Sequence, residues 1–142
     1  MSTASAQILS VDVPCDPGAA RAVRTALMGM DWREGVDSDV LIVASELVNN
    51  AVVHSGCGGE DVLTARATLS VDRLMFSIRD PGTSGRDAEV RADGHSDTGG
   101  RGLRLVERLS TRWGSHRGDG YRVWAEMAVV GSPDPLHRID RG

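Results

Sequence analysis

The run Ser45-Glu-Leu-Val-Asn-Asn-Ala-Val-Val-His-Ser-Gly56 constrains this chain more than any other stretch. It closes a helical pattern that starts near Asp37, with Asp37 or Ser38 placed to cap it. Asn49 and Asn50 are the only two asparagines in the chain. Asparagine suits a helix interior poorly, because its amide competes for backbone hydrogen bonds. At about 100° per residue, Val40, Ala44, Leu47 and Ala51 share one face, with Val43 on its flank. Glu46 and Asn50 form a polar stripe along one edge of that face, continued by His54, while Asn49 points nearly the opposite way. The stripe reads either as an i,i+4 hydrogen-bonded pair on a helix shoulder or as a site built beside the core. The outward Ile42 and Val52 would pack on the first helix of the chain or on a second subunit. Gly56 to Gly59 ends the helix.

Before this helix, residues 1–5 read as a loose end. Gln7 to Val13 sets Ile8, Ser10 and Asp12 against Leu9, Val11 and Val13, the alternation of a short strand. Asp16 is placed to cap a helix with Pro17 at its first position, running to about Met28 with Ala20, Val23, Leu27 and Met30 inward. After it, Leu63, Ala65, Ala67, Leu69 and Val71 alternate with polar residues, and Asp72-Arg73 turns into a second strand with Leu74, Phe76 and Ile78 on one face. The same parity aims Asp80 at the core side of the sheet where Pro81-Gly82 breaks the strand; a surface turn aspartate is the plainer reading.

Residues 81–99 carry no apolar periodicity, and so long a structureless segment suggests a functional lid or disorder. The segment ends in Gly99-Gly100-Arg101-Gly102 and opens into a short helix through Leu103, Val106, Glu107 and Leu109. Glycines at a helix entrance let backbone N–H groups approach an anion. Thr111–Arg117 and Tyr121–Val130 read as a hairpin around Gly118-Asp119-Gly120, with Tyr121, Val123, Ala125, Met127 and Val129 on one face. Residues 131–142 read as a disordered tail. The sum is an α/β two-layer sandwich, a mixed, mostly antiparallel sheet with helices on one face. One domain over residues 6–130 accounts for the chain.

Composition narrows the chemistry. A net charge of −4 gives no footprint for nucleic acid or an anionic membrane. All 16 basic residues are arginine. Without lysine there is no Walker-A loop and no Schiff base, so arginine, backbone amides or a metal must hold any phosphate. Cys15 and Cys57 lack zinc-type spacing and are too few for a disulfide framework. With neither a signal-peptide pattern nor an apolar run near the roughly 18 residues of a span, a cytoplasmic location is expected.

In order and spacing, these motifs resemble those of the GHKL (Bergerat-fold) ATPases. The nearest likeness is to the stand-alone anti-sigma factor serine kinases and their actinobacterial ATP-binding relatives. Ser45 to His54 is similar to the N box, Asp80-Pro-Gly82 to the first glycine box, and Gly100-Arg-Gly-Leu103 to the second. Arg112-Trp113-Gly114 and Val123-Trp124-Ala125-Glu126 are similar to the closing hairpin of actinobacterial members. The resemblance spans about Ile8 to Val130 and implies the Bergerat ATP-binding fold, with ATP and Mg²⁺ as cofactors. It implies that Asn50 ligates Mg²⁺ and that Glu46 is catalytic, orienting or deprotonating the attacking hydroxyl. Asp80 would accept from the adenine amino group, with Gly82 leaving room for the ring. Gly100, Gly102 and Leu103 would line the phosphates, and Arg101 or Arg104 would add charge-assisted contacts.

Two departures stand out. The second glycine of the first box is displaced, with Ser84 then Gly85 following. Arg122 stands where family members often carry a threonine near the adenine. His54 matches a common family position, although a lone helix-edge histidine is more often structural.

The resemblance therefore implies an ATP- and Mg²⁺-dependent serine/threonine protein kinase that binds a sigma factor and phosphorylates an anti-sigma antagonist. Retention of both Glu46 and Asn50 favours it. The alternative is an ATP-binding regulatory module that grips a partner without phosphoryl transfer, which the altered lid and Arg122 favour. A pure interaction protein fits less well with Asn50, Asp80 and the glycines in place. No phosphoacceptor helix precedes the domain, so a self-phosphorylating sensor kinase is not expected. Family members often form dimers, making a second copy another candidate partner; no nucleic acid or membrane partner is implied.

Overall fold

A computed structural model describes residues 6–82 and 100–133 of the chain, except the side chains of residues 100–102. The order is β1 (Gln7–Pro14), α1 (Ala19–Met28), α2 (Ser38–His54), β2 (Val62–Leu69), β3 (Arg73–Asp80), α3 (Gly100–Leu109), β4 (Arg112–Gly118) and β5 (Gly120–Ala128). The strands form one sheet in the order β1-β2-β3-β5-β4. All four described pairings are antiparallel, so the sheet is not mixed as its sequence suggested. The reason lies in the connections. Two helices in succession between β1 and β2 return the chain running down where one would return it running up. Helix α3 and β4 together do the same between β3 and β5.

The helices sit as a layer with α2 between α1 and α3, and α2 also packs on β3 and β5. Periodicity places the core correctly: Val40, Val43, Ala44, Leu47 and Ala51 of α2 are buried, as are Leu63, Ala65, Ala67, Leu74, Phe76 and Ile78 of the sheet. Each fully buried leucine or phenylalanine contributes about 1.5–3 kcal/mol. Val48 is buried too, widening the apolar face beyond the expected stripe.

Three boundaries differ from expectation. Helix α1 starts at Ala19, because the Asp16 carboxylate takes the Gly18 N–H at 2.8 Å and closes a turn ahead of the helix. Val71 leaves the strand pattern and is exposed, since the Ser70 N–H donates to the Arg73 carbonyl and closes the β2–β3 turn there. The packed chain also runs past Val130. Ser132 is 3% exposed; its N–H donates to the Ser70 carbonyl, its Oγ donates to the Leu69 carbonyl, and it accepts from Gln7 Nε2.

Candidate functional site

Helix α2 is set by its ends. Asp37 is the N-cap, its Oδ1 accepting from the Asp39 N–H at 2.8 Å. Ser55 closes the C-terminus with its N–H on the Ala51 carbonyl, and Gly56 follows at φ 83, the left-handed turn that glycine adopts without penalty. Between these ends, Glu46 and Asn50 are half-buried while Asn49 is exposed, which is the orientation the periodicity predicts. Arg24 of α1 donates to Ser45 Oγ at 3.0 Å, bringing a guanidinium beside the start of the polar stripe. His54 is half-buried at the last turn.

Asp80 ends β3 and is 5% exposed. Its Oδ1 accepts from the Gly82 N–H at 2.6 Å. Burial raises its carboxyl above the usual 3.8, opposed by that N–H and by the fields of Arg117 and Arg79. Among the described residues, the Gly82 N–H is the one hydrogen-bond donor to this carboxylate, and it takes Oδ1. The register sets Asp80 opposite Tyr121, with the Arg117 guanidinium 5.3 Å from the Tyr121 ring centre. Gly82 (φ 74) and Gly120 (φ 91) meet here: a Cβ on Gly82 would lie 3.2 Å from Gly120 Cα, and one on Gly120 would collide with the Asp80 carbonyl. Both glycines let the end of β3 and the start of β5 close together around the carboxylate.

Gly100, Arg101 and Gly102 form the first turn of α3, so backbone N–H groups lie at a helix N-terminus, where an anion is favoured. Leu103 packs against the core, leaving only its backbone for a ligand, and Arg104 is exposed. Because α2 packs on both α3 and β3, the elements carrying the three polar features adjoin one another. The 81–99 lid, with Ser84 and Gly85, lies outside the described residues except for Pro81 and Gly82.

Among the described residues, no three His, Cys, Asp or Glu side chains cluster as a metal cage. A magnesium ion held chiefly by phosphates needs only one or two protein oxygens. The half-buried Asn50 amide fits that requirement, with the Glu46 carboxylate one turn before it.

Two expectations are corrected. Arg122 does not face Asp80: its Nη1 donates to Ser77 Oγ at 2.9 Å on the opposite face of the sheet. There, with Arg66, Met75 and Trp124, it lines an open groove of about 570 Å³ separate from the site. Strand parity decides this, since Tyr121 and Val123 point inward and the residue between them cannot. Trp124 likewise lies on the outer face beneath Arg112, whereas Trp32 is in the core with its Nε1 on the Leu27 carbonyl. Cys15 and Cys57, too few in the sequence for a disulfide framework, nevertheless form one disulfide. Tyr121 and Arg117 were not singled out from the sequence; the period-2 pattern turns Tyr121 inward, and only the β3–β5 register sets it beside Asp80.

No described helix is long and apolar enough to cross a membrane. The chain matches the histidine kinase-like ATPase domain over residues 13–127. No curated protein matches it.

Proposed function

This chain belongs to the family of histidine kinase-like ATPase domains, and from that premise we propose that it binds ATP with Mg²⁺ and transfers the γ-phosphoryl group to a serine or threonine of a protein partner. The observation that carries the reading is Asp80: a buried carboxylate with Oδ1 held by Gly82 and no donor to Oδ2 among the described residues, where the adenine amino group would bond. Asn50 would hold the Mg²⁺, which supplies charge neutralisation on the phosphates. The backbone of Gly100 to Leu103 would cradle the phosphates, with Arg101 or Arg104 adding charge. Glu46 would orient the attacking hydroxyl and accept its proton as the hydroxyl oxygen bonds to the γ-phosphorus and the bond to the ADP oxygen breaks.

The resemblance to anti-sigma factor serine kinases supports a sigma factor as the bound protein and an anti-sigma antagonist as the phosphoryl acceptor, in a cytoplasmic transcription switch. A second copy of the chain is a further candidate partner. The displaced second glycine after Gly82 favours one other reading, an ATP-binding regulator that transfers nothing.

Calorimetric titration with a non-hydrolysable ATP analogue, with and without Mg²⁺, tests the shared part of both readings. Magnesium-dependent binding, weakened at least tenfold by Asn50→Ala, is expected; no binding at millimolar nucleotide overturns both. Given binding, Glu46→Gln separates the two, since only a kinase loses phosphoryl transfer while keeping its affinity.

A further inference from the structure

The Cys15–Cys57 disulfide has no part in the chemistry above, yet it lies at the end of the molecule where that chemistry is placed. We propose that the pair is a reversible thiol–disulfide site whose oxidised form holds the nucleotide site in its high-affinity shape. The coupling, though not the thiol site, rests on the ATP reading.

Cys15 directly follows β1 and is 4% exposed. Cys57 lies just beyond the end of α2, half-buried, with the two Cα atoms 6.2 Å apart across a sequence separation of 42. The register traces the bond to the site. Pro14 pairs with Val62, Thr64 with Arg79 and Asp80 with Tyr121, so the end of β1, the start of β2 and the end of β3 share one end of the sheet. The bond therefore ties the last turn of the helix bearing Glu46 and Asn50 to the sheet end that bears Asp80.

Without the bond, the α2 terminus rests on fewer restraints. Ser55 Oγ accepts from the Cys57 N–H at 3.0 Å, and the Ser55 N–H caps Ala51 at 3.1 Å. Helix ends open locally at a lower free-energy cost than helix centres. Asn50 lies little more than one turn before that end, so its amide loses position when the end frays. Reduction is thus expected to weaken nucleotide binding without unfolding the sheet.

Reversibility is expected on the cytoplasmic reading of the sequence, which does not depend on nucleotide binding. Compartments that keep thiols reduced leave disulfides mainly as transient or redox-sensing bonds. The exchange balances with a dithiol as reductant. Its thiolate attacks the sulfur of Cys57, the less buried residue of the pair; the S–S bond breaks, and the Cys15 sulfur leaves with the electron pair and takes a proton. The second thiolate of the reductant then displaces Cys57, whose sulfur leaves with the electron pair and takes a proton, and the reductant ends as its own disulfide. Two electrons and two protons pass to the protein. Ser55 Oγ, 2.8 Å from Cys57 Sγ, donates towards the Cys57 sulfur and steadies its charge as it departs in the second step.

Two measurements on the full chain test this. First, the protein is equilibrated in glutathione buffers of graded oxidised-to-reduced ratio, quenched, and its free thiols counted by maleimide mass shift. A single two-thiol transition within that range is expected; a pair that stays oxidised in fully reduced glutathione is a permanent staple and overturns the proposal. Second, the non-hydrolysable ATP analogue is titrated into oxidised protein, dithiothreitol-reduced protein and the Cys15→Ser/Cys57→Ser variant. Binding at least threefold weaker in the reduced form, matched by a variant that ignores reductant, is expected. Equal affinity of the oxidised and reduced forms overturns the coupling, and that comparison needs no substitution to fold. If neither form binds nucleotide, the ATP reading fails and the coupling with it, while the thiol count still decides the redox site.

Discussion

Asp80 shows how a proposed site residue costs stability. Burial raises its carboxyl above 3.8, so the native chain holds this proton more tightly than the unfolded one does. The group's contribution to stability then falls as pH rises from 3.8 through the raised native value, and above that window the ionised carboxylate is a net cost. Asp80→Asn removes the charge but keeps an acceptor for Gly82. At neutral pH its melting temperature should equal or exceed that of the parent, while its slope of stability against pH across the acid window is flatter. Its affinity for the ATP analogue should fall about tenfold or more, since an amide N–H₂ would face the adenine amino group. Thermal melts from pH 4 to 7 beside a binding isotherm check both; a melting temperature several degrees lower at pH 7 would sink the account of the buried charge.

At the scale of the element, α2 depends on its start as much as on its apolar face. Asp37 satisfies an N–H that the helix cannot. Asp37→Ala should cost about 1 kcal/mol in urea denaturation, and Asp37→Asn should recover most of it. Equal losses from both would show that charge, rather than the cap hydrogen bond, is what Asp37 supplies. The core stripe of α2, its cap and its glycine stop were all legible, because each is local and follows from periodicity or a single turn residue. The polar stripe was legible in direction only. That Glu46 and Asn50 stay half-buried depends on which elements α2 packs against.

Across the whole molecule the two ends of the sheet do different work. One end carries Asp80, Tyr121 and the disulfide. The other is clipped by Gly131 and Ser132, which bond to Arg33, Gln7 and the β2–β3 turn. Ser132→Ala removes the hydrogen bonds to the Leu69 carbonyl and from Gln7 Nε2 and should cost about 1–2 kcal/mol, lowering the melting temperature by roughly 3–8 °C. Nucleotide affinity should not move, because the lesion lies at the far end. A loss of affinity comparable to that of Asn50→Ala would contradict this division.

What the sequence determined by itself is the set of elements and faces: a half-buried strand, a capped helix with a polar edge, a carboxylate aimed inward, and glycines before a short helix. These follow from the two periods of the backbone and from turn chemistry, which neighbouring residues settle among themselves. The tertiary structure alone decided the antiparallel pairing throughout, the packed strap at Ser132, the turning of Arg122 to the outer face beside Ser77, and the meeting of Cys15 with Cys57. Each of these joins residues far apart in the chain, through a register or a crossover that no local pattern encodes. Tyr121 lies between the two cases: its face was legible, but its place opposite Asp80 came only when β5 was laid between β3 and β4.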